Sequence, residues 1–90
     1  MTKVKNLHEG KRIPVGFNSW KDYWEHQTHR SFSLCSCLGC NAMAEHGSHV
    51  IKTDSYDRRW YIVPLCPYHN NPYHSESFYV MDNDLVPVNA

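Results

Sequence analysis

Ninety residues are enough for one domain, and a chain this short removes only about two thirds of its unfolded surface from water, so its core alone is marginal. Nine Lys and Arg balance nine Asp and Glu, which excludes a strong overall field of the kind that draws a protein to polyanions; any basic surface must be local. The chain opens without an apolar leader and holds no membrane-length apolar run, so its four cysteines are expected in a reducing compartment, the cytoplasm, with no membrane partner and with disulfides disfavoured.

Residues 1–16 show no clear period and carry Lys3, Lys5, Lys11 and Arg12 against Glu9, which reads as a loose basic arm ahead of a single domain over residues 17–90. The arm enters the fold near Ile13-Pro14-Val15. Asn18 or Ser19 then caps a helix whose Trp20, Tyr23 and Trp24 recur at spacings of three and four, with Lys21, Asp22, Glu25 and His26 on its other faces. Three large aromatic side chains on one stripe of a short helix predict the main core contact, packed on a sheet.

All four cysteines fall in two places. Cys37-Leu38-Gly39-Cys40 puts two thiols on a tight turn that Gly39 allows to close, and Cys66-Pro67-Tyr68-His69 puts a thiol and an imidazole on what reads as a first helical turn, where Pro67 is favoured. Two such two-residue spacings aim four soft ligands at one point, the pattern of a tetrahedral structural Zn²⁺ site. The predicted ligands are Cys37, Cys40, Cys66 and His69. Cys35 can replace Cys37 across a four-residue gap, or join an all-thiolate set that releases His69.

Between the two places, Ser48-His49-Val50-Ile51 and Arg59-Trp60-Tyr61-Ile62-Val63 suit a pleated sheet and flank the turn-forming Thr53 to Asp57, so they are predicted to pair as a hairpin. Asn70-Asn71-Pro72 stops the following helix early. Phe78 to Met81 and Leu85 to Val88 flank Asp82-Asn83-Asp84 and predict a closing hairpin or two short strands, the last at an edge because of Pro87. Knuckle, hairpin and ligand-bearing helix start, in that order, make an α+β treble-clef zinc finger with an N-terminal aromatic helix and a C-terminal β-hairpin.

The run Cys37 to Cys40, His49 within Gly47-Ser48-His49-Val50, and the pair Cys66 and His69 resemble the HNH, or ββα-metal, treble-clef group. The wording Tyr-Ile-Val-Pro-Leu-Cys followed by His-Asn resembles its small bacterial and phage members. The resemblance spans roughly residues 35 to 72. It implies a metal-dependent endonuclease in which His49 is the catalytic base that activates water, and in which His69 or His74 would hold a catalytic Mg²⁺ or Mn²⁺. The residue before that histidine is often an acidic ligand in active members, and here it is Ser48.

Two functional classes follow from these residues. In one, an HNH-like zinc module acts on or binds DNA or RNA, with catalysis retained or lost, and Lys52, Arg58, Arg59 and the N-terminal lysines meet phosphates while tyrosines offer stacking faces. In the other, the zinc is purely structural and the folded surface is a non-catalytic module that binds another protein.

Overall fold

The computed structural model describes residues 1–88; residues 89 and 90 of the predicted domain lie outside it. Strand β1 spans Thr2–Asn6, helix α1 Trp20–Thr28, β2 His46–Lys52, β3 Trp60–Leu65, β4 Phe78–Val80 and β5 Val86–Pro87, with a 3₁₀ turn at Asp82–Asp84. The result is an α+β fold with one α-helix and a five-stranded antiparallel sheet in the order β4-β1-β2-β3-β5. Among the described residues no helix is long and apolar enough to cross a membrane.

The helix starts and stops where its sequence dictates. Ser19 holds extended angles, and its hydroxyl accepts the backbone N–H of Asp22 at 3.0 Å, which is the N-cap geometry. His29 ends it in the left-handed region at φ 57°. Trp20, Tyr23 and Trp24 are buried, as their spacing predicts, and form one core with Ile62 and Val86 beneath them. Both indoles also satisfy their N–H groups, Trp20 on the carbonyl of Lys11 at 3.0 Å and Trp24 on that of Asp84 at 2.8 Å.

The hairpin of β2 and β3 is the longest pairing in the sheet, running from His46 opposite Leu65 to Ile51 opposite Trp60. Its alternation separates two faces. Val50, Tyr61, Val63 and Leu65 join Val4, Phe78 and Val80 in a second core on one face, together with Cys35 and Cys66. Gly47, His49, Ile51 and Ile62 point to the other face, where α1 packs against β2, β3 and β5.

Three expectations need correction. The first residues of the predicted loose arm form β1, which lies inside the sheet between β2 and β4 with Val4 fully buried. Its side chains alternate Lys3 and Lys5 outward with Val4 and Asn6 inward, a period of two that the charges obscure in the sequence. No closing hairpin forms, and the alternative of two short strands holds: Phe78–Val80 pairs with β1 and Val86–Pro87 pairs with β3, at opposite edges of the sheet. Pro87 does stand on an edge strand, where its missing N–H costs no ladder bond.

The third correction concerns the segment after Cys66. It closes one turn, with the N–H of Asn70 on the carbonyl of Cys66 at 3.0 Å, and no α-helix follows among the described residues. At Asn71-Pro72 the helical run ends: the N–H of Asn71 turns back to the carbonyl of Tyr68 at 3.3 Å, and a separate turn follows, with the N–H of His74 on the carbonyl of Asn71 at 2.9 Å.

Gly47 fixes how closely α1 approaches the sheet. A Cβ at Gly47 would stand 2.7 Å from the backbone carbonyl carbon of Trp20 and 2.8 Å from the nitrogen of Lys21. Backbone cannot yield as a flexible side chain can. Gly47→Ala should therefore lower unfolding stability by about 1–3 kcal/mol, read as a lower urea midpoint at saturating zinc; an unchanged midpoint would mean that the helix start is free to shift.

Candidate metal centre

Three separate segments deliver the ligands. Leu34 bridges Met43, and the N–H of Cys35 bonds the carbonyl of Ala42 at 2.9 Å, so a short antiparallel pair sets the base of the knuckle. At its tip the N–H of Cys40 bonds the carbonyl of Cys37 at 3.0 Å, with Gly39 at φ 88°. The N–H of Ser36 on the carbonyl of Pro64 (2.8 Å) ties the knuckle to β3, and Cys66 lies just past the end of that strand.

One ligand atom from each of Cys35, Cys40, Cys66 and His69 lies within 4.8 Å of the others. The Sγ atoms of Cys40 and Cys66 are 3.9 Å apart, and His69 Nδ1 is 3.3 Å from Cys66 Sγ and 3.6 Å from Cys35 Sγ. A tetrahedral ion with bonds of about 2.3 Å to sulfur and 2.0–2.1 Å to nitrogen would space its ligand atoms about 3.5–3.8 Å apart. The cluster therefore fits a structural metal and is compatible with zinc.

Cys37, the predicted first ligand, stands outside this cluster, and Cys35, the named replacement, takes its place. Cys37 belongs to the tip that closes the turn, and its thiol faces the carbonyl oxygen of Leu38 at 3.8 Å. Cys35 sits at the base of the knuckle, buried against the sheet. Burial pushes the Cys35 thiol up to about 12. Burial also acts on Cys66, but the backbone N–H of His69 and hydrogen bonds with Cys35 and Cys40 hold it below its ordinary value. A divalent cation is what would let these neighbouring thiols ionise together.

Imidazole protonation does not compete strongly for the fourth position. Burial, and then the nearby His74, lower the pKa of His69, so its ring stays neutral and able to ligate. Asn6, which sequence reasoning missed because it lies in the supposed arm, supports the ligand turn: its Nδ2 donates to the carbonyl of His69 at 3.1 Å. Only the period-two pattern of Lys3 to Asn6 hints at that inward orientation.

His49, the predicted catalytic base, is 5 % exposed. Its ring meets Trp20 edge to face at a centroid distance of 4.8 Å and Trp60 at 5.8 Å. The N–H of Lys11 donates to its Nε2 at 3.2 Å. Burial, followed by the charge of Lys11, lowers its pKa, so the ring is neutral near pH 7. A neutral imidazole has one ring lone pair, and here it is engaged.

Ser48, where an acidic ligand would stand, instead donates to Asn70 Oδ1 at 2.5 Å. Beside it His49, His8, Glu9 and Asn70 help to line a polar recess of about 250 Å³. His74 stays out of the metal cluster, with its ring centroid 5.0 Å from that of His69 and its buried Nδ1 without a hydrogen-bond partner among the described residues. At the hairpin tip Asp57 binds both Lys52 (3.1 Å) and Arg59 (3.2 Å), while Arg58 is exposed. These two predicted phosphate contacts are thus already engaged.

No protein-family model, curated protein or solved structure matches this chain.

Two measurements follow from the geometry. Cys35→Ser should weaken zinc binding by more than about 100-fold, beyond the 10–100-fold typical of partners outside the ligand set, whereas Cys37→Ser should leave it unchanged in competition with a chromophoric chelator; the reverse order would return Cys37 to the site. NMR titration of the imidazoles should find His49 protonating below its ordinary value of 6.5 and carrying its proton on Nδ1 when neutral. Because the unfolded chain then binds the extra proton more readily, His49 contributes to a loss of stability as pH falls below 6.5.

Proposed function

We propose that the chain is a zinc-stabilised treble-clef module of the HNH-like kind that binds nucleic acid without cleaving it. The observation that carries the zinc is the convergence of Cys35, Cys40, Cys66 and His69 from a knuckle, a strand end and a one-turn segment. Knuckle, hairpin and ligand turn follow one another in the order a treble clef needs, with its usual helix cut to a single turn. For a chain with so small a core, a structural zinc with apparent binding energy of about 10–16 kcal/mol decides whether it folds.

The non-catalytic part of the reading rests on His49 and Ser48. A general base needs a lone pair within reach of the water it deprotonates, and that of His49 accepts the N–H of Lys11. A serine hydroxyl bound to Asn70 is a poor stand-in for a carboxylate at magnesium. Nucleic acid as the ligand is supported by the resemblance of residues 35 to 72 and by Lys3 and Lys5 of β1, which have no carboxylate partner among the described residues.

A protein-binding module is the second reading, and one observation favours it. Leu34 and Met43 face each other at the base of the knuckle and are 52 % and 59 % exposed, with exposed Leu38 at the tip.

Mobility shifts of the zinc-loaded protein with short duplex and single-stranded DNA at two salt concentrations should show binding that weakens steeply with salt. Incubation with Mg²⁺ or Mn²⁺ should give no cleavage by the parent or by His49→Ala. Cleavage that disappears in His49→Ala would overturn the non-catalytic reading, and the absence of any shift would leave the protein-binding one.

A further inference from the structure

Helix α1 and the loop that carries Lys11 cover only part of their side of the sheet. Over β1 and β4 that side is open, and the register shows what stands there. Lys3 lies directly opposite Tyr79, and Lys5 lies opposite Ile51, which in turn faces Trp60. Lys3 and Lys5 are exposed, and Tyr79 is 45 % exposed. Lys11 reaches the same side from its loop, with its ammonium held 4.8 Å from the centre of the Trp60 ring.

Along the strands the charge on this side has one sign, while Glu9 stands in the loop two residues before Lys11. The strands β1 to β4 contain no acidic residue, and none of the three lysines is paired with a carboxylate among the described residues. The cations at the hairpin tip differ, since Asp57 neutralises Lys52 and Arg59 on the opposite face. A chain with no net charge has thus kept a local strip of three lysines without a carboxylate partner among the described residues, Lys3 and Lys5 on the strand beside the exposed Tyr79 and Lys11 on Trp60.

We propose that this strip docks a single-stranded nucleic acid, with an unpaired base on Tyr79 and phosphates at Lys3, Lys5 and Lys11. The inference rests on the nucleic-acid reading above and supplies its face and strandedness. Strand spacing puts Tyr79 about 15 Å from the Trp60 side of the strip, room for a few nucleotides laid across the strands. The ring decides between strand forms: bases in a duplex are stacked on one another, whereas an unpaired base has a free face for a tyrosine. Lysines alone would meet either form equally.

Fluorescence anisotropy of the zinc-loaded protein with a labelled short oligothymidylate and with a duplex of equal length tests this. Three phosphate contacts predict a slope of log affinity on log salt of about −2, or a loss of about 20-fold between 50 and 200 mM salt. Lys3→Gln with Lys5→Gln should reduce that slope to about −1 or less in magnitude. Tyr79→Leu should weaken single-strand binding by about 5-fold or more, and Tyr79→Phe should restore it. Lys21→Gln, on α1, should change nothing, and zinc content and thermal midpoint confirm that each variant is folded.

Equal affinity for duplex, or a Tyr79→Leu variant that binds like the parent, would overturn the single-strand face while leaving nucleic-acid binding in place. Polyglutamate competing as well as the oligonucleotide would overturn it in favour of an acidic protein partner. Binding of neither oligonucleotide by the parent would overturn the underlying reading as well.

Discussion

Three sulfurs and one imidazole drawn to within 4.8 Å form the constraint on which the molecule depends. Each belongs to a segment with little structure of its own: a knuckle founded on one bridge, the residue after a strand, and a single turn. Hydrogen bonds alone would hold such segments weakly, because each contributes only about 1 kcal/mol net. A cation shared by all four would join them at one point and link them to the apolar face of the sheet through Cys35 and Cys66. Local geometry and core packing then depend on the same atoms.

Around that point the polar groups are arranged to serve position. Asn6 holds the ligand turn, Ser48 holds Asn70, and His49 receives the N–H of Lys11 while its ring fills the space between two tryptophans. Asp84 has a similar part on the far side, accepting from Ser36 in the knuckle at 2.9 Å and from Arg30 beyond the helix at 2.6 Å, while its carbonyl takes the indole of Trp24. Residues that would read as chemistry in isolation are here engaged in joining segments. That is why a likeness to a nuclease motif in the sequence does not by itself carry the activity.

Local physics made part of this legible in the sequence. The cap at Ser19 and the stripe of Trp20, Tyr23 and Trp24 depend on neighbours within a few residues and the β2–β3 hairpin on the next strand along the chain, and all form where the pattern puts them. Cys40, Cys66 and His69 also come together; the two-residue spacing of Cys66 and His69 puts both on one turn, whereas that of Cys37 and Cys40 brings only Cys40 to the cluster. The choice of Cys35 over Cys37 was not legible, because it turns on the Leu34–Met43 bridge and on the tie from Ser36 to Pro64. Strand β1 was hidden by its own lysines: two charges in five residues resemble a tail unless the inward pair, Val4 and Asn6, has a known destination. The partners of β4 and β5 lie about 75 and 25 residues away, beyond any pattern read along the chain.

The placement of β1 has a consequence for how the molecule is made. Its inner ladder needs residues near 50, and its outer ladder needs residues near 79, so β1, made before the other strands of this sheet, is among the last to be fully flanked. Pairings of such long range form slowly, because the intervening loop must be closed before any contact rewards it. During synthesis, therefore, β1 waits unpaired until the residues near 50 and 79 have followed it, and the sheet assembles only then.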